Sequence, residues 1–278
     1  MNLLDWILNL AGLVLWIEWR SGRPLRRNPS VLSLASAIRP AEARRGGGFA
    51  ALGALLVLLF LRPFFYWSIG AKLQWTAQTD LLAISLPWRS DLLDRMFLYS
   101  TISFGIAFGL YYSCLLLLSA INRAMPDDNP VQRFIRVQLG WLEKIPWWLK
   151  VALPMLVTGF AWIALVPLVV HLELLPPLQN YDYSWGQAAA LSLTILLVWK
   201  WLLLALFLFH LLNLYVYLGK YPLWDYISIT ARKLLWPVSF FAVGRIDLSP
   251  VIGIGLVFFV AELGVKPGMI RLFERFMP

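Results

Sequence analysis

The sequence predicts an all-α polytopic membrane protein, with about six transmembrane helices arranged as tandem parallel helical hairpins joined by interfacial amphipathic hinge helices. Three observations predict it. Of the 278 residues, 60% are hydrophobic and only 14% charged, with a mean hydropathy of +0.70. A soluble domain carries about one quarter charged residues, so a water-soluble globule is excluded. The apolar runs are of bilayer length, and their plan occurs twice. A long apolar helix meets an X-Pro hinge, an amphipathic segment follows, and a second apolar helix starts near a proline.

The six apolar spans are Leu3–Trp19, Phe49–Ile69, Met96–Ile121, Val151–Leu174, Ala188–Tyr217 and Ser249–Val265. The first is the weakest. It is short and carries Asp5 and Asn9, so crossing the bilayer and lying in the interface both remain open for it. Met1 to Asp5 lacks a basic segment, and Arg20 follows the apolar stretch, which is not the order of a signal peptide.

Lys and Arg then set the orientation. The segments after spans one, three and five hold sixteen, including Arg20 to Arg45, Arg123 to Lys150 and Lys220 to Arg245. The alternate segments hold six: Lys72, Arg89, Arg95, Lys266, Arg271 and Arg275. The three basic bends are therefore expected in the cytoplasm, with both termini outside if every span crosses. In this topology the two hairpins are parallel repeats, unlike the inverted repeats of many alternating-access carriers. Asn28-Pro29 hints at a degenerate third copy. The predicted organisation is an N-terminal membrane extension over residues 1–95, hairpin repeats over 96–175 and 188–265, and an amphipathic tail over 266–278.

The hinges share physical detail. Val131, Phe134, Ile135, Leu139 and Leu142 fall on one helical face, with Arg133, Arg136 and Glu143 opposite. Leu223, Tyr226, Ile227 and Leu234 repeat the pattern against Asp225, Ser228 and Arg232. Each is expected to lie at the membrane surface, apolar side down. Trp141, Trp147, Trp148, Tyr221, Trp224 and Trp236 suit the headgroup level. Pro146 and Pro237 break the surface helices, and Pro154 and Pro250 stand near the start of the returning spans, where a missing N–H costs least.

Asn129-Pro130-Val-Gln-Arg-Phe-Ile and Ile246-Asp247-Leu248-Ser249-Pro250-Val251-Ile252 resemble the repeat of the YggT family of small bacterial membrane proteins, which has plastid relatives. The resemblance covers Met96 to Val265. The first copy departs from it, having Val151-Ala152-Leu153-Pro154 in place of the aspartate and serine, and the basic cluster after each surface helix is thinned. The resemblance implies a multi-pass protein of the bacterial inner (cytoplasmic) membrane. It also implies roles of the kind associated with the family: osmotic tolerance, membrane or nucleoid organisation, and assembly of cytochrome complexes.

Candidate functional or partner-contact residues are Lys200, Asp247, Ser249, Pro250, Asn129 and Pro130. Lys200 lies mid-span between Trp199 and Trp201, where a charge costs at least ~2.5 kcal/mol without a partner, a wet cavity or a snorkelling route. Structural pairing is weighed against an ion, proton or lipid role. Asp247 and Ser249 are read first as a cap for the helix that follows, and second as an ion or partner contact. Arg62, nearer the outer part of span two, is expected to snorkel.

Thr101, Gly105, Gly109 and Ser113 recur every four residues and form a groove for a close-packing helix, either span five of this chain or another subunit. His171 and His210 lie at opposite ends of their spans, more than ~10 Å apart in depth, too far for both to ligate one haem iron. His171 with Glu173 could form a small titrating pair. Cys114 is the single cysteine, so intrachain disulfides and multi-cysteine clusters are excluded. No Walker loop, zincin motif or nucleophile elbow occurs. The expected partners are the lipid bilayer and other membrane protein subunits, with no nucleic acid, no metal and no cofactor. The predicted function is a non-catalytic membrane scaffold, an assembly factor or accessory subunit; the alternative is a small-ion channel or transporter.

Overall fold

The computed structural model describes residues 3–21, 47–73, 76–81, 84–126, 128–175, 181–216, 221–243 and 246–276. The protein is 85% helical and is an all-α polytopic membrane protein. Five helices are long and apolar enough to cross a membrane: Gly48–Gly70, Leu93–Ile121, Trp147–His171, Tyr183–Tyr215 and Ser249–Arg275. The chain divides into two compact units, Met1–Tyr112 with Glu173–Leu175, and Ser113–Leu172 with Pro176–Pro278. Asn28-Pro29, the arginines from Arg23 to Arg45, Asp127, Lys220 and Arg245 lie outside the described residues.

In the first unit α1 (Leu3–Ser21) and α2 (Gly47–Leu73) lead to a hairpin of β1 (Ala77–Asp80) and β2 (Ser85–Trp88), and then to α3 (Leu93–Ile121). α1 packs along its length against α2 and α3. Asp5 meets Arg62, and the next turns place Gly12 against Leu55 and Phe104, then Trp16 against Phe108 and Tyr112. Its contacts descend α2 and ascend α3, so α1 runs antiparallel to one and parallel to the other along its length. Asp5, Glu18 and Arg20 make it less apolar than the other spans, and the polar groups near its start are matched by polar neighbours.

The β-hairpin is antiparallel, with Ala77 opposite Trp88 and Asp80 opposite Ser85. Alternation puts Ala77, Thr79, Leu86 and Trp88 on its buried face. There the Trp88 Nε1 donates to Thr79 Oγ1 at 3.0 Å and the indole lies 6.3 Å from the Tyr99 ring of α3.

The second unit holds the rest of α3, then α4 (Pro130–Leu139), a 3-10 turn at Gly140–Lys144, and α5 (Trp147–His171). Next come α6 (Tyr181–Ser192), α7 (Thr194–Tyr215) and α8 (Pro222–Leu235), with a 3-10 turn at Trp236–Phe241 and the two-residue strands β3 (Ala242–Val243) and β4 (Ile246–Asp247). The chain ends in α9 (Ser249–Phe259), a π segment at Val260–Val265 and α10 (Lys266–Arg275). Two boundaries differ from expectation. Span five starts at Tyr181 and steps at Leu193, between α6 and α7. The amphipathic tail expected after Val265 forms α10, which continues span six because the π segment carries the ladder past Pro267.

Packing in this unit is antiparallel. Trp162 of α5 donates to the Gln187 amide of α6 at 3.2 Å, and Phe160 meets Trp185 edge-on. Along the α6–α7 rod, Phe207 faces Gly253, Lys200 faces Glu262 and Gly186 faces Phe276. Gly253 is required by close approach, since a Cβ there would stand 2.4 Å from Leu235 Cδ2 and 3.2 Å from the Phe207 ring. Phe207, Ala231 and Leu235 make a buried apolar cluster, with Leu234, Val238, Ile254 and Val257 packed against it.

The hinge helices pack against each other. Asn129 caps α4, its side chain accepting from the Val131 N–H at 2.9 Å, while its amide donates to the Pro222 carbonyl of α8 at 3.1 Å. Pro130 and Pro222 each stand in the first turn, where no N–H is needed.

Candidate functional site

Polar and charged side chains inside the apolar helices are the candidate site, and among the described residues they gather into four sets. The first joins α1, α2 and α3. Asp5, Asn9, Arg62 and Ser103 are all buried. The Arg62 guanidinium donates to the Asp5 carboxylate, to Asn9 Oδ1 at 2.7 Å and to the Tyr66 hydroxyl at 2.5 Å. Asp5 also accepts from Tyr66 and Ser103, each at 2.7 Å. Arg62 therefore does not snorkel. A carboxylate two turns across a helix interface satisfies it in place, which costs less than bending the stem through packed side chains.

The second set sits where α3 ends and α5 begins. Glu143 accepts from Ser119 and pairs with Lys150 at 3.1 Å and Arg136 at 3.6 Å. Lys150 also donates to Ser119 at 2.7 Å and is almost fully buried. The third set ties α3 to α8: Asn122 donates to Thr230 Oγ1 at 2.7 Å and accepts from Lys233 at 3.1 Å. Burial holds the Lys233 ammonium below its ordinary pKa and pushes the Tyr226 phenol up to about 12. This set corrects one expectation for α4. The helix buries Gln132, Ile135, Gln138 and Leu139 together, so its inward face is half polar. Among the described residues neither polar side-chain atom of Gln132 has a hydrogen-bond partner, and the residue is wholly buried.

The fourth set contains Lys200. Its ammonium meets Glu262 Oε1 at 2.5 Å, and Lys266 takes the other oxygen at 3.0 Å. The Trp201 ring lies 4.6 Å from the Lys200 nitrogen and the Phe258 ring 5.7 Å, so its apolar surroundings are also cation-tolerant. Exposure rises outward through the set, from 7% at the Lys200 side chain to 25% at Glu262 and 52% at Lys266. Lys200 is near the middle of Tyr183–Tyr215 and Glu262 at the middle of Ser249–Arg275, so the pair lies near mid-membrane. The π segment positions Glu262. Pro267 has no N–H for the carbonyls one turn back, the α ladder cannot continue, and the wider turn shifts the facing residues. Beyond it, Glu262, Lys266, Pro267, Ile270, Arg271 and Glu274 line an open groove of about 420 Å³.

The remaining predicted residues have simpler places. Asp247 accepts from the Ser249 N–H at 2.9 Å and from its hydroxyl at 2.5 Å, so Ser249 donates where it was expected to accept. Those two bonds hold the Asp247 carboxyl below its usual pKa, with His210 and Arg232 adding to the effect. Pro250 is buried in the first turn of α9. Thr101, Gly105 and Gly109 face outward, and a Cβ at either glycine would meet nothing within 4 Å. Ser113, the buried member of the stripe, accepts from Trp199 Nε1 at 3.2 Å. His171 is exposed and His210 buried, and among the described residues no group of three or more His, Cys, Asp or Glu could hold a metal ion.

No protein-family model, curated protein or solved structure matches this chain.

Proposed function

We propose that this chain is a non-catalytic integral membrane scaffold, an assembly factor or accessory subunit of a membrane protein complex, with its basic bends in the cytoplasm of a bacterial cell. One observation carries the reading: charges within or at the ends of the apolar helices are closed as the pairs Asp5–Arg62, Glu143–Lys150 and Lys200–Glu262. Ion pairs closed in this way fix helix positions and leave little free acid, base or nucleophile for chemistry. The outward Thr101–Gly105–Gly109 stripe supports it, since small residues let a foreign helix approach closely. The YggT-like hinges agree with an assembly role.

Mild detergent extraction followed by pull-down tests the reading. Specific membrane proteins are expected to co-purify, and Gly105→Leu with Gly109→Leu is expected to release them while the protein stays folded. A lone monodisperse chain with no co-purifying partner refutes it. The channel or transporter reading draws on the groove that reaches toward Lys200 at mid-helix. Against it, the apolar cluster of Phe207, Leu235, Ile254 and Val257 stands on the other side of Lys200, toward His210. Liposome flux that is present in the parent and abolished by Lys200→Leu would favour transport instead.

A further inference from the structure

The groove along α10 has a charge balance that asks for a ligand. Lys200, Glu262 and Lys266 form a closed set with one net positive charge, because Glu262 spends one oxygen on each lysine. Lys266 spends one donor on Glu262 and is half exposed. Beyond it, Arg271 and Glu274 are both exposed, and among the described residues Arg271 makes no ion pair or side-chain hydrogen bond. The lining thus presents a free guanidinium and a half-used ammonium, and with Lys200 behind them the groove carries three cations against two carboxylates.

Depth and neighbours say which anion fits. Arg271 lies nine residues beyond the mid-helix Glu262, about 13 Å further along the axis. The hydrocarbon half-thickness is ~15 Å, so Arg271 reaches the headgroup level of the leaflet opposite the hinge helices. Toward the membrane centre the same helix exposes Phe259, Val260 and Leu263, and Ile270 lines the groove itself. The opening is therefore flanked by a strip suited to hydrocarbon.

We propose that this groove seats the phosphodiester of a membrane phospholipid between Lys266 and Arg271, with an acyl chain along Phe259, Val260 and Leu263. A phosphodiester carries one negative charge and neutralises the net charge of the groove. The planar guanidinium can donate twice to its oxygens, and Lys266 has donors left to give. Inorganic phosphate offers the same oxygens without the chain that the exposed apolar strip would cover. The site stands whether the protein scaffolds or transports.

Native mass spectrometry of the delipidated full-length protein, titrated with phosphatidylglycerol and with diacylglycerol, tests this. One phosphatidylglycerol is expected to bind saturably, with diacylglycerol at least about tenfold weaker, the worth of one charge-assisted hydrogen bond. Arg271→Gln is expected to weaken phosphatidylglycerol about tenfold and Lys266→Gln comparably, whereas Arg275→Gln, outside the groove lining, leaves it unchanged. Arg271→Gln breaks no ion pair or side-chain hydrogen bond among the described residues, so its result does not depend on folding. Equal binding of diacylglycerol, equal affinity in Arg271→Gln, or displacement of the lipid by equimolar inorganic phosphate would each overturn the proposal.

Discussion

The Asp5–Arg62 pair predicts a steep, non-additive response to mutation. Both side chains are fully buried, and the pair joins α1 to α2. At an effective dielectric of 20, unit charges 4 Å apart attract by about 4 kcal/mol. Removing one partner forfeits that attraction and strands the other charge, a loss measured in proteins at about 3–5 kcal/mol. Asp5→Leu and Arg62→Leu should each cost that much. The double variant should cost less than either single one. Its residual penalty comes from Tyr66, Asn9 and Ser103, which lose Asp5 as acceptor, and Asn9 already has Ser103 as an alternative at 3.0 Å. The coupling energy from the cycle should therefore reach about 3 kcal/mol or more. Unfolding by SDS titration in mixed micelles, followed by far-UV circular dichroism, measures all four proteins. A double variant as damaged as the sum of the singles, or singles that each cost under about 1 kcal/mol, would refute the idea that the charges are held as one unit.

Three further outcomes follow from local geometry. Asp247→Asn keeps an acceptor for the Ser249 N–H but loses the charge at the positive end of α9, and should cost about 0.3–1 kcal/mol at neutral pH. Because the folded pKa of Asp247 is depressed, its contribution is present above the usual carboxylate range and disappears as pH falls through the lowered value. The parent's melting temperature should thus converge on that of Asp247→Asn in acid; a gap that widens there would contradict this. Gly253→Ala should destabilise by roughly 1–3 kcal/mol through collision with Leu235 and Phe207. Gly255→Ala, whose Cβ would enter open space, should be neutral or slightly stabilising, and thermal melts of the two compare them directly. Asn122→Leu should cost about 0.5–1.5 kcal/mol by removing the donor to Thr230 and the acceptor of Lys233, while Thr230 keeps its bond to the Tyr226 carbonyl, and faster hydrogen exchange confined to α8 would register it.

The membrane architecture was legible because bilayer length and apolar composition act over contiguous residues. Five spans follow from that alone, and the hinges follow from Asn129-Pro130 and Tyr221-Pro222, where a cap and a missing N–H are local facts. The partners of the charges were not legible in the same way. Asp5 and Arg62 stand 57 residues apart, and Lys200 and Glu262 stand 62 apart. Glu262 carried a signal that could have been found: it is an acid inside an apolar span, as anomalous as Lys200, and counting Lys and Arg for orientation passes over acids. Helical projection identified the faces of α4 and of the Thr101 stripe but not what meets each face. Water was assumed opposite the apolar side of α4, whereas Gln132 and Gln138 are buried beside Ile135. A neighbour was assumed beside Gly105 and Gly109, where the structure has open space.

The distribution of these contacts has a physical logic. Between helices in lipid, apolar contact discriminates poorly among registers, since lipid tails are as apolar as leucine. A polar pair discriminates sharply, because sliding one helix by a turn strands both members. Several helix pairs carry such ties: Asp5–Arg62 for α1 and α2, Ser119–Lys150 for α3 and α5, and Asn122–Thr230 for α3 and α8. Trp162–Gln187 does the same for α5 and α6, Trp199–Ser113 for α7 and α3, and Lys200–Glu262 for α7 and the π segment. If these ties exist for register, replacing both members of one with apolar residues should spare stability and loosen uniqueness, so that cross-linking between engineered cysteines spreads over neighbouring turns. Among the described residues Lys266 is tied only within its own helix, to Glu262, and Arg271 has no ion pair, so neither fixes a register between helices. That is why the groove they line, and not the closed pairs, is where an outside molecule should be sought.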